Sequence, residues 1–365
     1  MLSKGENAQY HRQLILSEIG ESGQAKLKNA RVLVIGAGGL GSAILPYLIA
    51  AGTGNTGIID HDKVEVSNLH RQVLFSTDDI GQNKAVIAAE KLKKLNPHIQ
   101  ITAYPEALTR ENALELFSSY DIIVDGSDNF PTRYLVNDAA VMCNKPVVFG
   151  SIYKFEGQVS VFNYQDGPTY RCLFPTPPPP GASPNCAEIG VLGVLPGIIG
   201  AMQANEVIKM VCGIGQVLSG KLLTIDCLTM QTQTLKFSKN VQEIPDALND
   251  VEYACIRDEG VMDEITSEDF INSDLKNTTV VDVRTSSERE SSRMDMLPPD
   301  SPDLHIPLDQ LESLCDIIPT HQTIVFYCQS GVRSRQAAQW FLREYPAAKV
   351  LSLRGGLATL LNSVS

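Results

Sequence analysis

Residues 31–42 read RVLVIGAGGLGS. After Arg31, the run Val32 to Ile35 is short, apolar and mostly β-branched, which predicts a buried strand. Glycines follow at Gly36, Gly38, Gly39 and Gly41, and residues 42–51 (SAILPYLIAA) predict an apolar helix. A strand that turns through glycines into a helix leaves bare backbone N–H groups at the helix N-terminus. That end carries partial positive charge and takes phosphate. The second strand, residues 57–60 (GIID), ends in Asp60, where an acid meets a ribose hydroxyl in dinucleotide folds. By itself this pattern says only nucleotide, and a nicotinamide-dependent Rossmann oxidoreductase is its plainest version.

The residues that follow change the balance. In HDKVEVSNLHRQVLF, Asp62, Asn68, Arg71 and Gln72 crowd a connection between a strand and the next helix. Connections beyond the carboxyl ends of parallel strands are where such sheets bind ligands. The stretch GQNKAVIAAEKLKKLN predicts a helix with Lys84 in its first turn. A lone cation there would be surface charge. Two of them near a phosphate-ready turn fit a triphosphate better than a dinucleotide. Residues 120–124 (YDIIV) predict a strand that leads into Asp125, Gly126, Ser127, Asp128 and Asn129. Asp128 can hold magnesium, which prefers carboxylate and phosphate oxygens. The plainer reading is an Asx turn or N-cap before a helix at residues 131–142. Residues 145–149 and 158–162 predict further strands. Residues 8–28 carry apolar helical spacing at Leu14, Ile15, Ile19 and Leu27, and they contain His11, Arg12 and Gln13. Taken alone, Arg12 reads as part of a solvated helix face.

A length of 365 residues suggests two domains, each able to bury a core. A net charge of -12 argues against non-specific binding to nucleic acid or membrane. No apolar run reaches membrane-spanning length, and the start, MLSKGENAQYHRQ, lacks a signal-peptide core, so a cytoplasmic protein is expected. Eight cysteines in a chain of this size do not suggest a disulfide scaffold.

Five ordered segments together carry a family resemblance. They are GAGGLGS (36–42), DxDxVExSNLHRQ (60–72), GxxKA (81–85), DGSDNFPTRYLVND (125–138) and NCAEIGVLGVLPGIIG (185–200). Over about residues 8–236 the chain resembles the ThiF/MoeB family, ubiquitin-activating-like enzymes that adenylate small sulfur-carrier proteins. The resemblance implies a Rossmann-like α/β fold, ATP and Mg2+ as cofactors, and a ubiquitin-fold carrier whose C-terminal glycine carboxylate is the substrate. It assigns Gly39, Asp60, Asn68, Arg71, Lys84 and Asp128 to ATP and its metal. Gly36, Gly38, Gly41, Asp62, Gln72 and Asn129 stand in the same motifs and join the expected nucleotide site. It also assigns Arg12 to the nucleotide of a partner subunit, which makes a homodimer part of the site. The chemistry is consistent: carboxylate and α-phosphate are both anionic, so cations and magnesium must offset their repulsion. No general base is needed, because a carboxylate is already ionised near neutral pH.

Residues 171–187 (RCLFPTPPPPGASPNCA) are expected to be irregular, because the proline run favours an extended, semi-stiff strip. In the family this strip crosses above the ATP site. Cys186 matches a cysteine that some members use covalently with the carrier; the plainer alternative is a small packing residue at a helix start. Many members hold structural zinc on two CxxC pairs. Here Thr169 replaces the first cysteine, Cys172 remains, and SKNVQEIPDAL has none where the second pair should stand. Cys172, Cys227 and Cys255 lack ligand spacing, so structural zinc is not expected.

We divide the chain into an adenylyltransferase domain at 1–240, an acidic linker at 241–259 and a smaller α/β domain at 260–365. In the last, residues 279–283, 323–327 and 349–353 predict strands, and residues 335–344 a helix. CQSGVRS, residues 328–334, runs from a strand end into a helix. Such a turn aims backbone N–H groups and a helix dipole at the Cys328 sulfur, a setting that lowers a thiol pKa and holds a persulfide anion. Arg333 would add cationic help. The pattern resembles a rhodanese domain, with Asp282-Val283-Arg284 and the closing Arg354-Gly355-Gly356 as further matches. The glycines of the family's GHIPGA-like segment are missing before residues 306–308. A phosphatase loop is the alternative, but only four residues separate Cys328 from Arg333, one short of that spacing.

Together the halves imply carrier adenylation followed by sulfur transfer from a Cys328 persulfide. The product would be a thiocarboxylate for molybdopterin, thiamin or thiolated tRNA. A cysteine desulfurase or thiosulfate would supply the sulfur. Two alternatives remain at this point: a second domain that only docks the carrier, and the nicotinamide oxidoreductase.

Overall fold

The computed structural model describes residues 2–177, 190–240, 264–272, 278–291, 303–345 and 347–362. The chain divides into two compact units, Met1–Ile256 and Arg257–Ser365. The first unit holds an eight-stranded sheet. Its strands are β1 (Arg31–Ile35), β2 (Asn55–Ile59), β3 (Gln100–Tyr104), β4 (Ile122–Asp125), β5 (Val147–Tyr153), β6 (Glu156–Phe162), β7 (Lys221–Asp226) and β8 (Gln231–Lys236). Their order is β3-β2-β1-β4-β5-β6-β7-β8. The first five are parallel, and β6, β7 and β8 continue the sheet antiparallel.

Strand β1 is central because both of its faces are apolar. Val32 and Val34 enter one core with Ile44, Ala85 and Ile199, while Leu33 and Ile35 enter the other with Phe117 and Leu135. Helices therefore cover both faces of the sheet, as a parallel arrangement requires. The strand order reverses between β1 and β4, so the crevice where such sheets take ligands opens after Ile35. Helix Gly39–Ala51 starts there, with Leu40 to Leu45, Leu48, Ile49 and Ala51 buried and Tyr47 exposed. Helix Leu195–Cys212 packs closely on it: a β-carbon added at Gly200 would stand 2.7 Å from the Leu40 carbonyl oxygen.

Two expectations need correction. Residues 8–28 do not form one amphipathic helix. They break into Lys4–Gln9, His11–Leu14 and Gly20–Asn29; Leu27 is buried, but Ile15 is 60% exposed. The expected irregular strip also begins with a helical turn, Tyr170–Leu173. Asp138 holds Arg171 through two 2.7 Å bonds there, and the Tyr134 hydroxyl donates to the carbonyls of Phe174 and Thr176. The linker at 241–259 and Cys186 lie outside the described residues.

The second unit is a five-stranded, all-parallel sheet. Its strands are β9 (Glu264–Ile265), β10 (Thr278–Asp282), β11 (Asp303–His305), β12 (Thr323–Tyr327) and β13 (Lys349–Leu353), in the order β11-β10-β12-β13-β9. Ile324 and Phe326 of β12 pack with Phe341 on one face, and Val325 and Tyr327 pack with Leu357 and Leu360 on the other. Among the described residues, no helix is long and apolar enough to cross a membrane.

Candidate active sites

The first site is built on the turn after β1. Gly36 has φ +87°, and its N–H donates to the Ile59 carbonyl at 2.8 Å. A β-carbon at Gly41 would lie 2.1 Å from the Gly36 carbonyl oxygen, so the turn closes only with glycine there. The Ala37 N–H donates to Asp60 Oδ2 at 2.7 Å, and the Asp62 N–H to Asp60 Oδ1 at 2.8 Å. Burial pushes the Asp60 carboxyl above its ordinary value, opposed by the Ala37 amide and by Lys84.

The Lys84 side chain is buried, and its Nζ donates to Asp62 Oδ2 at 2.9 Å. The same lysine's N–H donates to the Asp62 carbonyl at 2.9 Å, which ties the start of helix Lys84–Leu95 to the end of the β2 connection. Asn68 is buried in the short 3-10 turn Val66–Asn68, and its carbonyl accepts from the Arg71 and Gln72 amides. That turn delivers the next two side chains: Gln72 Nε2 is 3.6 Å from a β-carbon placed at Gly38, and Arg71 Cγ is 4.0 Å from one placed at Gly39. Gln72 Oε1 is buried without a hydrogen-bond partner among the described residues.

The neighbouring strand end completes the crevice. The Gly126 N–H donates to the Ile35 carbonyl at 2.9 Å, locking the loop after β4 against the glycine turn. Asp128 and Asn129 stand exposed on that loop. Asn129 Oδ1 accepts the Thr132 N–H at 2.9 Å, so Asn129 is the N-cap of helix Phe130–Met142. The structure thus joins the Gly36–Gly41 turn to Asp60, Asp62 and Lys84 by hydrogen bonds and brings Gln72 and Arg71 close to Gly38 and Gly39, while Asn68 anchors the turn that carries them and Asp128 and Asn129 follow the loop clamped to β1 through Gly126. Arg12 is exposed on the short helix His11–Leu14, and among the described residues no hydrogen bond joins it to this group.

Carboxylate oxygens suit a hard divalent cation bound with phosphate. Ligand atoms of Asp60, His61 and Asp62 lie within 4.8 Å of one another, and Asp128 faces solvent nearby in sequence to the clamped Gly126. Cys172 has other company: its sulfur accepts from the Thr169 and Asn240 amides at 3.4 and 3.3 Å. Sequence reading passed over three residues here. Asp125 is fully buried below Asp128, Ser127 bonds to it, and Arg133 is buried beside both. Burial pushes the Asp125 carboxyl up, while Arg133 and Ser127 draw it down. Asp125 closes the apolar strand β4, a position the sequence alone does not tell apart from that of Asp128.

The second site is the turn after β12. Cys328 Sγ accepts the Gly331 N–H at 3.2 Å and the Ser334 N–H at 3.4 Å, and the Ser334 hydroxyl lies 3.6 Å from it. Ser334 Oγ in turn accepts from Ser352 Oγ at 3.0 Å. Helix Val332–Glu344 begins at this cradle, so its dipole points at the sulfur. The closing Gly355-Gly356 turn packs on the same loop: a β-carbon at Gly356, which has φ +61°, would stand 2.4 Å from the Cys328 carbonyl oxygen. Beneath, Asp282 accepts from Arg284 Nε at 3.0 Å, Arg284 Nη2 at 2.8 Å and the Tyr327 hydroxyl at 3.0 Å. Burial raises the Asp282 carboxyl, but the Arg284 hydrogen bonds outweigh it and leave the group below its ordinary value. Asp282-Val283-Arg284 is therefore an internal brace next to Cys328. The guanidinium of Arg333 forks onto Glu288 at 2.8 and 2.6 Å, and the sulfur's hydrogen bonds come from the loop amides. This pair holds the Glu288 carboxyl down at about 2.

Comparison with known proteins agrees with this geometry. Residues 10–245 match the ThiF family, and residues 268–362 match the rhodanese-like domain. The chain is 55% identical over 243 residues to a sulfur carrier protein adenylyltransferase of Thermus thermophilus, covering 65% of this chain and 90% of the relative. It is 42% identical to a probable adenylyltransferase/sulfurtransferase MoeZ of Mycobacterium tuberculosis, covering 98% of this chain and 93% of that one. A crystal structure of Escherichia coli MccB with ATP superposes with a TM-score of 0.57 at 25% identity, over 66% of this chain and 75% of that one. With these matches spanning both crevices, the chain belongs to the ThiF family and carries a rhodanese-like domain after its adenylyltransferase-like unit.

Proposed function

We propose that this chain uses ATP to adenylate the C-terminal carboxylate of a ubiquitin-fold sulfur-carrier protein, and that Cys328 then delivers sulfur to it. Relatives named as sulfur carrier adenylyltransferases and adenylyltransferase/sulfurtransferases support both halves of this reading. The observation that carries it is the chain of contacts from the Ala37 amide through Asp60 and Asp62 to Lys84, with Arg71 alongside. It supports a site with two cations, more than a nicotinamide cofactor calls for; Arg71 starts from a hydrogen bond of its Nη1 to the Ser67 carbonyl at 3.0 Å.

In the first step a carrier carboxylate oxygen attacks the α-phosphorus and pyrophosphate leaves. Arg71 and Lys84 offset the charge that gathers there. Asp128 would hold magnesium, which would neutralise phosphate charge. Arg12 would serve the same nucleotide from the second subunit of a homodimer. In the second step the outer sulfur of a Cys328 persulfide attacks the acyl carbon and AMP leaves. The thiolate of a further cysteine then attacks the Cys328 sulfur: the thiocarboxylate leaves with the outer sulfur, and a disulfide forms between Cys328 and that cysteine, which a later reduction reopens. The pathway served is molybdopterin, thiamin or tRNA thiolation, and the sulfur comes from a cysteine desulfurase or thiosulfate. Cys186 is a candidate covalent site, domain boundaries at 240 and 260 are our division, and structural zinc is not expected. Elemental analysis finding stoichiometric zinc would refute the last point.

Carrier-dependent ATP–pyrophosphate exchange tests the first step. Arg71→Ala and Lys84→Ala should each abolish it; undiminished exchange would remove that residue from the site. Thiosulfate:cyanide sulfur transfer tests the second. Cys328→Ser should eliminate it, whereas equal rates would leave a docking role for the second unit.

A further inference from the structure

We infer that Asp125, Ser127 and Arg133 are positioning residues that aim Asp128 at the metal–nucleotide complex, an assignment that rests on the proposed adenylation. Asp125 closes β4 with 2% exposure, and Oδ1 of its carboxylate accepts both the Ser127 N–H at 2.9 Å and the Ser127 hydroxyl at 2.6 Å. These two hydrogen bonds span Gly126, whose own N–H donates to the Ile35 carbonyl at 2.9 Å. Arg133, one turn into the following helix, donates from Nη2 to the Ser127 carbonyl at 3.3 Å. Its guanidinium lies 5.4 Å from the Phe149 ring centre and 5.6 Å from that of Phe130. From the opposite face, Gln203 Nε2 donates to the Asp125 carbonyl at 2.8 Å.

Ser127 is therefore bonded through its amide, hydroxyl and carbonyl, and Asn129 is committed to capping. Asp128 is the exposed residue between these two anchors. An exposed carboxylate on a free loop would lose rotational and backbone freedom on meeting a cation. A loop already pinned on both sides has less to lose. Partners behind a metal ligand commonly change metal affinity by about 10–100-fold when removed.

The test is calorimetric titration of magnesium into the full chain saturated with a non-hydrolysable ATP analogue, alongside exchange assays at graded magnesium. Ser127→Ala and Arg133→Met should each weaken magnesium binding about tenfold. Exchange should then recover toward the wild-type maximum at high magnesium, and Ser127→Thr should restore the wild-type affinity. Unchanged magnesium affinity in both variants overturns the assignment. So does a loss of exchange that no magnesium concentration relieves in protein with wild-type circular dichroism, because that is a structural role only. Absence of exchange in the wild-type chain with every sulfur carrier tried would instead count against the adenylation reading itself, whatever the titrations give.

Discussion

At Gly41 the chain has no room for a single extra carbon. The nearest atom would be the Gly36 carbonyl oxygen at 2.1 Å, a backbone atom that cannot swing away as a flexible side chain would. Gly41→Ala should therefore open the turn rather than be absorbed by it. The expected cost is about 1–3 kcal/mol of stability in the first unit. Affinity for an ATP analogue should fall with it, because the Ala37 amide and Asp60 are placed by the same turn. A thermal melt and a nucleotide titration check both, and wild-type values in either would contradict the steric argument. The residue scale also shows why some side chains were legible and others were not. Asp60 and Lys84 stand in short local motifs, and the structure joins them through Asp62. Glu288 does not: it meets Arg333 across 45 residues, and nothing local to either announces the pair.

That pair belongs to the scale of elements, since it ties helix Ser286–Ser291 to the start of helix Val332–Glu344. Its hydrogen bonds lower the Glu288 pKa from 4.5 to about 2. A depressed carboxylate stabilises the fold fully above its unfolded value, and the contribution is lost as pH falls through the folded value. The second unit should therefore lose stability between about pH 4.5 and 2. Glu288→Gln should lower the melting temperature at neutral pH and flatten that acid limb; identical pH profiles would remove the pair from the account. Elements also explain the misjudged N-terminal region. Leu14, Ile15 and Ile19 have helical spacing in sequence, but a break between His11–Leu14 and Gly20–Asn29 sends Ile15 and Leu16 to the surface. Periodicity reports a face only while the helix continues.

On the scale of the molecule, each unit owns its sheet and its apolar cores. Calorimetry should therefore resolve two unfolding transitions. An ATP analogue at about one hundred times its dissociation constant should stabilise only the first unit, by about 2.7 kcal/mol. One merged transition, or a shift in both, would argue that the units melt together. The division into two α/β units was readable because each begins again with apolar strands at regular distance from helices. The strand orders were not, since β1 pairs with both β2 and β4, and β13 pairs with β9 from far back in the chain. Such pairings depend on which faces need covering, and no single segment records that.

The Cys328 side chain has no solvent-accessible surface, held among the Gly331 and Ser334 amides. Loading it with one more sulfur extends the reactive atom by about 2 Å, the length of a sulfur–sulfur bond. Loaded, the terminal sulfur would stand farther from the loop amides than the bare thiolate does, so the cradle that takes sulfur from a donor would hand it on at a longer reach.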